Sequence, residues 1–213
     1  MIGIALPKGR LLEESLEFFS SIGIDFDSTI TRSRRLIHYS SDGNFKLLVI
    51  RAKDVPTFVQ YGGCDMGIVG RDVLMEASAD LYEVLDLGFG YCRLCVAVPE
   101  DIDEDIYSRP IIKVATKYPS ITERFFAQRG QQVEIITLYG SIELAPVTGM
   151  SDAIVDLVST GKTLRANRLK EIETVFESTA WLVVNRHSFK QKNQEIVNLI
   201  KKIKEGIHGP GKD

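Results

Sequence analysis

Cysteine and histidine are scarce: Cys64, Cys92, Cys95, His38, His187 and His208 are all that 213 residues contain. Three cysteines make no disulfide framework and suit a reducing compartment. The sequence has no G-x-S-x-G and no His/Cys cluster with metal-ligand spacing, and each histidine is most simply structural or at the surface. Long apolar runs are missing too. Stretches such as Leu47–Ile50 and Trp181–Val184 fall far short of the roughly 18 residues a membrane-spanning helix needs. The apolar stretch Met1–Leu6 is too short for a secretory signal and has no basic residue ahead of it, so a cytoplasmic protein is expected. Charge of one sign is absent as well: 26 Lys and Arg against 29 Asp and Glu leave a net charge of −3. No overall basic field exists to hold nucleic acid, and neither nucleic acid nor membrane is an expected partner; anionic ligands must be gripped locally.

What is present is a globular composition, 44% hydrophobic and 26% charged, with 17 Gly and 7 Pro. It excludes disorder and fibres and allows one large or two small domains. Cys92 and Cys95 form a C-x-x-C, but Arg93–Val98 reads as a strand, where residues three apart point to opposite faces; a redox or metal role is set aside.

The chain reads as two copies of one plan. Strand Ile2–Leu6, loop Pro7–Arg10 and a helix over Leu11–Ile22, with Leu12, Leu16 and Phe19 at helical spacing, end at Gly23. The order recurs as strand Ile111–Thr116, loop Lys117–Ser120, helix Ile121–Gln128, Gly130 and strand Val133–Thr137. A second element also repeats: helix Val55–Tyr61 before strand Met66–Val69, and a short helix Ser141–Ala145 before strand Ala153–Val158. Almost wholly apolar strands alternating with helices indicate an α/β protein.

The strand run Tyr82–Val98 and the acidic segment Pro99–Pro110 divide the copies, which implies two lobes with a ligand cleft between them. The expected boundaries are residues 1–92 for lobe I, 93–179 for lobe II, a return to lobe I over 180–207, and a flexible tail at 208–213. The return is expected as a strand over Thr174–Asn185 and an amphipathic helix over Phe189–Lys204.

The segment with the most chemistry runs from Asp152 to Asn167: an acidic strand ending in Ser159-Thr160-Gly161-Lys162-Thr163. Small residues let a backbone approach closely, and successive N–H groups form an anion-binding concavity. Gly-Lys-Thr invites a nucleotide-hydrolase reading. That loop needs another Gly five residues before Gly161, where Asp156 stands, so the reading is rejected. Asp152 and Asp156 suit the vicinal hydroxyls of a ribose, and a ribose 5-phosphate fits the whole arrangement. A plain strand-to-helix turn, with Asp and Ser/Thr capping backbone groups, is the competing interpretation.

Glu143-Leu-Ala-Pro-Val-Thr-Gly149, Asp152-Ala-Ile-Val-Asp156 and Ser159-Thr160-Gly161-Lys162-Thr163-Leu164 resemble the signature of the ATP phosphoribosyltransferase family. So do Leu6-Pro-Lys-Gly-Arg-Leu11, Arg51-Ala-Lys-Asp-Val-Pro56, Asp65-Met-Gly-Ile-Val-Gly-Arg-Asp72 and Ala115-Thr-Lys-Tyr-Pro119, in the family's order and across essentially the whole chain. The resemblance implies a periplasmic-binding-protein-like (type II) fold and attack of adenine N1 of ATP on C1 of 5-phosphoribosyl 1-diphosphate, with Mg²⁺. Such a reaction needs no strong base; it needs orientation and cations on the departing diphosphate.

By the same resemblance, Asp152, Ala153, Asp156, Ser159, Thr160, Gly161, Lys162 and Thr163 take the phosphoribosyl donor. Arg51 and Arg34 stabilise the leaving group, although Arg32 and Arg35 leave the choice of arginine open and a solvated charge run is the alternative. Lys8, Gly9, Arg10, Asp65, Asp72, Lys117, Tyr118, Glu143 and Leu144 are implied ATP contacts, with helix N-capping the alternative for Asp65 and Asp72. Mg²⁺ rides on the diphosphate and no metal-binding residue is nominated. The chain resembles the short form of the family, which implies a homodimer assembling with a histidyl-tRNA-synthetase-like regulatory subunit. Two rival classes remain at this stage: a cytoplasmic two-lobed binding or effector-sensing module, and a phosphoribosyltransferase with another acceptor.

Overall fold

The computed structural model describes residues 1–209, so the part of the 208–213 tail from Pro210 on lies outside the described residues. Two compact units form, one from Met1–Gly90 with the chain from Thr179 onward, the other from Tyr91–Ser178.

In chain order the first unit contributes β1 (Ile2–Pro7), α1 (Arg10–Ser21), β2 (Ile37–Tyr39), β3 (Phe45–Ile50), α2 (Val55–Gln60), β4 (Met66–Gly70), α3 (Arg71–Ala77) and β5 (Tyr82–Asp86). The second unit holds β6 (Cys92–Pro99), β7 (Ile111–Thr116), α4 (Pro119–Ala127), β8 (Gln132–Thr137), α5 (Leu144–Val147), β9 (Ala153–Val158), α6 (Lys162–Ala166) and β10 (Leu169–Ser178). The chain returns to the first unit as β11 (Ala180–Val184), α7 (Arg186–Gln191) and α8 (Asn193–Ile207).

The first sheet has the order β2-β3-β1-β4-β11-β5, with β3, β1 and β4 parallel and the other pairings antiparallel. Alternate side chains choose opposite faces. Ile2, Ile4 and Leu6 of β1 join Leu182 and Val184 of β11 under α1 (Leu12, Phe19) and α8 (Ile196, Leu199, Ile203). Ala5, Val69 and Val183 face α2 (Val55, Val59) and α3 (Leu74) on the other side. Three layers result, because a sheet apolar on both faces must be covered twice. In the second unit the order is β10-β6-β9-β7-β8, with β9, β7 and β8 parallel and β10 and β6 antiparallel to their neighbours. Ile154 and Val158 of β9 pack on one face with Ala145 of α5 and Leu164 of α6. Ile121, Phe125 and Phe126 of α4 are buried, the two phenylalanines edge to face at 5.2 Å.

Several sequence expectations need correction. The strand expected over Thr174–Asn185 is two strands that break at Thr179: β10 pairs with β6 of the second unit, and β11 with β4 and β5 of the first. Tyr82–Val98 also splits, because Gly88 (φ 71°) and Gly90 (φ 70°) turn the chain between β5 and β6. The helix expected over Phe189–Lys204 is α7 and α8, separated at Lys192, which leaves helical geometry and sends its Nζ to Asp65 at 2.8 Å. The short helix expected at Ser141–Ala145 begins later, at Leu144, after Ser141 adopts a left-handed φ of 50°. Cys92 and Cys95 are buried, unbridged thiols.

Candidate functional site

In the second unit the parallel strands β7 and β9 deliver two loops to the same sheet end, since Thr116 is paired with Val155 in register. Asp156, Ser159, Thr160, Gly161, Lys162 and Thr163 line one cavity of about 200 Å³, together with Glu143 just ahead of α5. The volume is below the roughly 300–1,000 Å³ of a site for a drug-sized ligand. It suits one phosphate-bearing group rather than a whole nucleotide. Gly161 has φ 70°, a left-handed conformation in which a side chain is strained.

Asp156 is the polar anchor of this cavity. It shares a face of β9 with Ile154 and Val158, and its Oδ1 lies 3.0 Å from Lys117 Nζ while accepting the Leu157 N–H at 2.8 Å. Its side chain is 13% exposed, so the pair is only partly screened by solvent. Lys117 is aimed there by a residue the sequence reading passed over. Buried Thr116 donates from Oγ1 to Val155 C=O at 2.7 Å and accepts the Tyr118 N–H at 2.9 Å, fixing the turn that carries Lys117. The only sequence signal for this was a hydroxyl residue at the end of an apolar strand.

Not every nominated residue reaches the cavity. Asp152 and Ala153 stand at the opposite end of β9: Asp152 accepts the Lys113 N–H at 2.8 Å and pairs with Arg109, and Ala153 is fully buried. Four residue steps separate Asp152 from Asp156, roughly 13 Å, which two adjacent hydroxyls of one ribose cannot span. Asp152 is therefore a structural tie, not the second ribose carboxylate. Tyr118 buries its ring to 7% exposure and offers no open face for stacking, whereas Leu144 is 50% exposed beside Glu143.

In the first unit, Lys8, Gly9 and Arg10 follow β1, and Lys8 N–H donates to Ile50 C=O at 2.8 Å, placing the loop beside Arg51 at the end of β3. Gly9 carries φ 96° and ψ −154°, a region essentially confined to glycine, as it turns into α1. Arg51 is exposed, and Arg10 forms a solvent-facing pair with Glu14 at 3.5 Å. Arg34 is exposed and precedes β2, whose antiparallel pairing (Val49 N–H to Leu36 C=O, 2.8 Å) puts its beginning at the Arg51 end of the sheet. Asp72 follows β4 at this same end, buried in the first turn of α3.

Asp65 does not join them. It precedes β4 at the other end of the sheet, about 16 Å along β1 from Lys8, and accepts the Gly3 N–H and Lys192 Nζ, each at 2.8 Å. Burial disfavours its charge, but the hydrogen bonds from Gly3, Lys192 and Ser188 and the Lys192 charge prevail, holding the carboxyl below its ordinary value. Asp65 locks the α7–α8 junction to β1 and β4, at the sheet end opposite Lys8 and Arg51.

Chemically, the second unit offers a glycine-containing loop, the carboxylates of Asp156 and Glu143, and the ammonium groups of Lys162 and Lys117 at a small cavity, while the first offers Lys8, Arg10, Arg34 and Arg51 at one sheet end. The family comparisons agree with this inventory. Residues 51–205 match the family model HisG, ATP phosphoribosyltransferase. The ATP phosphoribosyltransferase 2 of Geobacter sulfurreducens is 52% identical over 208 residues, 97% of this chain and 98% of that protein. The ATP phosphoribosyl transferase (HisG:HisZ) complex from Thermotoga maritima is similar with a TM-score of 0.82 at 32% identity, covering 98% of this chain and 99% of that one. A substrate-binding protein of an amino acid ABC transporter aligns with a TM-score of 0.60 at 15% identity, over 96% and 92% of the two chains. That last likeness shows the fold alone, the periplasmic-binding-protein-like (type II) α/β architecture. The match along the sequence and across the structure means that this chain belongs to the ATP phosphoribosyltransferase family.

Proposed function

We propose that this chain transfers the 5-phosphoribosyl group of 5-phosphoribosyl 1-diphosphate to N1 of ATP, giving N1-(5-phospho-β-D-ribosyl)-ATP and diphosphate, the first step of histidine biosynthesis. The observation that supports the donor half is the gathering of Asp156 and the Ser159–Thr163 loop around one phosphate-sized cavity. In this reading the N–H groups of the loop, with the hydroxyls of Ser159, Thr160 and Thr163, take the 5-phosphate, and Asp156 accepts a hydrogen bond from a ribose hydroxyl. Lys117, released from Asp156 by that hydroxyl, is then free to meet a phosphate oxygen. This moves Lys117 from the acceptor to the donor.

Adenine N1 is already a nucleophile, so the chemistry asks for alignment and for charge stabilisation as the C1–N1 bond forms and the C1–O bond to diphosphate breaks. Arg51 and Arg34 serve the leaving diphosphate; Lys8, Gly9, Arg10, Asp72, Glu143 and Leu144 serve ATP. Mg²⁺, when bound, neutralises charge on the diphosphate oxygens. Such an ion keeps waters and prefers phosphate oxygens to an all-protein cage; among the described residues no group of three or more His, Cys, Asp or Glu is arranged to hold a metal ion. A cytoplasmic homodimer joined by a histidyl-tRNA-synthetase-like regulatory subunit completes the proposal; the Thermotoga maritima relative was solved as a HisG:HisZ complex.

The test is to incubate the chain, alone and with that subunit, with ATP, donor and Mg²⁺, following diphosphate release and the ribosylated nucleotide by ultraviolet absorbance and mass. Stoichiometric formation of both products is expected. Diphosphate release only with a different acceptor would replace ATP in the reading, and no release under either condition would end it.

A further inference from the structure

The anion loop is held from behind by three charged side chains that do not line its cavity. Arg93 of β6 grips Glu171 of β10 through two hydrogen bonds, Nε to Oε2 at 3.0 Å and Nη2 to Oε1 at 2.6 Å, and its Nη1 reaches the Ser159 carbonyl at 3.4 Å. Arg165 of α6 donates from Nη2 to the next carbonyl, that of Thr160, at 3.1 Å. The third residue, Gly161, lies against the same guanidinium: a Cβ there would sit 2.9 Å from Arg165 Nη1 and 3.5 Å from Glu171 Oε1. Two successive loop carbonyls are thus held by guanidinium groups from different elements, one of them gripped by Glu171, and Gly161 packs close against the second.

Peptide geometry turns this into an orientation. The described peptides are all trans, so each carbonyl points away from the N–H of the following residue. Anchoring the Ser159 and Thr160 carbonyls on the arginines directs the N–H groups of Thr160 and Gly161 the other way, toward the cavity both residues line. The arginines also place positive charge close behind the amides. Burial opposes ionisation of Glu171, but its hydrogen bond from Arg93, with further help from Cys95 and the charges of Arg93 and Arg165, keeps its carboxyl below the ordinary value. Glu171 therefore stays charged and holds its partners across the neutral range.

We infer that Glu171, acting through Arg93 and Arg165, is a positioning residue that holds the Ser159–Gly161 backbone in its anion-binding conformation. The inference rests on the donor-binding reading above and adds residues that touch neither substrate. Because the 5-phosphate is remote from the reacting C1, loosening its cradle weakens binding of ground and transition states alike, so the effect falls on the donor KM rather than on kcat.

The experiment compares the wild type with Glu171→Gln, which keeps shape and removes charge, and with Arg165→Met, which deletes one anchor. Steady-state constants for donor and ATP are measured alongside amide hydrogen exchange of residues 158–163, without substrate and with inorganic phosphate. Expected in both variants are a donor KM raised about 10- to 100-fold, kcat and ATP KM changed by less than about threefold, and faster loop exchange with less protection by phosphate. Glu171→Asp, retaining the charge, should recover part of the donor affinity. Wild-type exchange and donor KM in both variants would overturn the inference. Equal losses for donor and ATP, or exchange that quickens throughout the second unit, would overturn it in favour of a general stabilising role. Turnover of the wild type judges the reaction separately, since the exchange measurements need no turnover.

Discussion

Replacing Asp156 by Asn removes one charge from the proposed donor cavity and almost no volume. In the wild type the carboxylate sits 3.0 Å from Lys117 Nζ with only 13% of its side chain exposed, so a ribose hydroxyl arriving there gains a charge-assisted hydrogen bond in a partly desolvated place. Such a bond is worth about 1.5–3 kcal/mol, against about 0.5–1.5 for its neutral counterpart. The difference of roughly 1–2 kcal/mol corresponds to about 5- to 30-fold in affinity. Stability should move far less. Lys117 is 38% exposed, and a pair so placed contributes at most about 1 kcal/mol, a Tm change of about 2–4 °C for a chain of this size. Calorimetric titration with 5-phosphoribosyl 1-diphosphate, read beside a thermal melt, separates the two effects. A donor Kd within twofold of wild type would refute the reasoning and leave Asp156 as a capping residue.

Other outcomes follow from the same geometry. Arg51→Ala should lower single-turnover rates about 10²- to 10³-fold, the scale for one lost charge-stabilising donor; an unchanged rate removes Arg51 from the mechanism. Asp152→Ala should reduce stability by about 1–3 kcal/mol in chemical denaturation through its lost ties to Arg109 and Lys113, with donor Kd unaltered; the reverse pattern would return Asp152 to the ribose. Asp65 titrates below its unfolded value of about 3.9, so its contribution to stability is present above that pH and is lost as pH falls through the lower folded value. Asp65→Asn should flatten the acid limb of the stability curve, and an identical limb would contradict the Lys192 tie. Burial, with the nearby Asp65 charge, pushes the Cys64 thiol up to about 11, and burial with the Glu171 hydrogen bond does the same for Cys95. At pH near 8.5, where a free thiol is half ionised, both should resist alkylation until the protein is unfolded, which mass spectrometry reads directly.

Much of this was legible in the residues. Strands Ile111–Thr116 and Ala153–Val158 were read to the residue, because each is a short apolar run with turn residues at both ends. The segment Thr174–Asn185 was not: two strands joined by one residue carry no periodicity that says they belong to different sheets. Similarly, Asp65 and Asp152 looked like site carboxylates because a linear motif shows spacing but not which end of a strand faces a ligand. Register settles that, placing Asp65 beside Gly3 and Asp152 beside Lys113. Glu171 could not be found from sequence at all, since its partners Arg93 and Arg165 come from elements far apart along the chain.

A crystal structure of the chain with 5-phosphoribosyl 1-diphosphate tests the donor cavity most directly. Expected are the 5-phosphate within hydrogen-bond reach of the Thr160 and Gly161 amides, a ribose hydroxyl on Asp156, and Lys117 moved off that carboxylate. Donor bound elsewhere, with the Asp156–Lys117 pair intact and the Ser159–Thr163 loop unoccupied, would contradict the donor-binding reading.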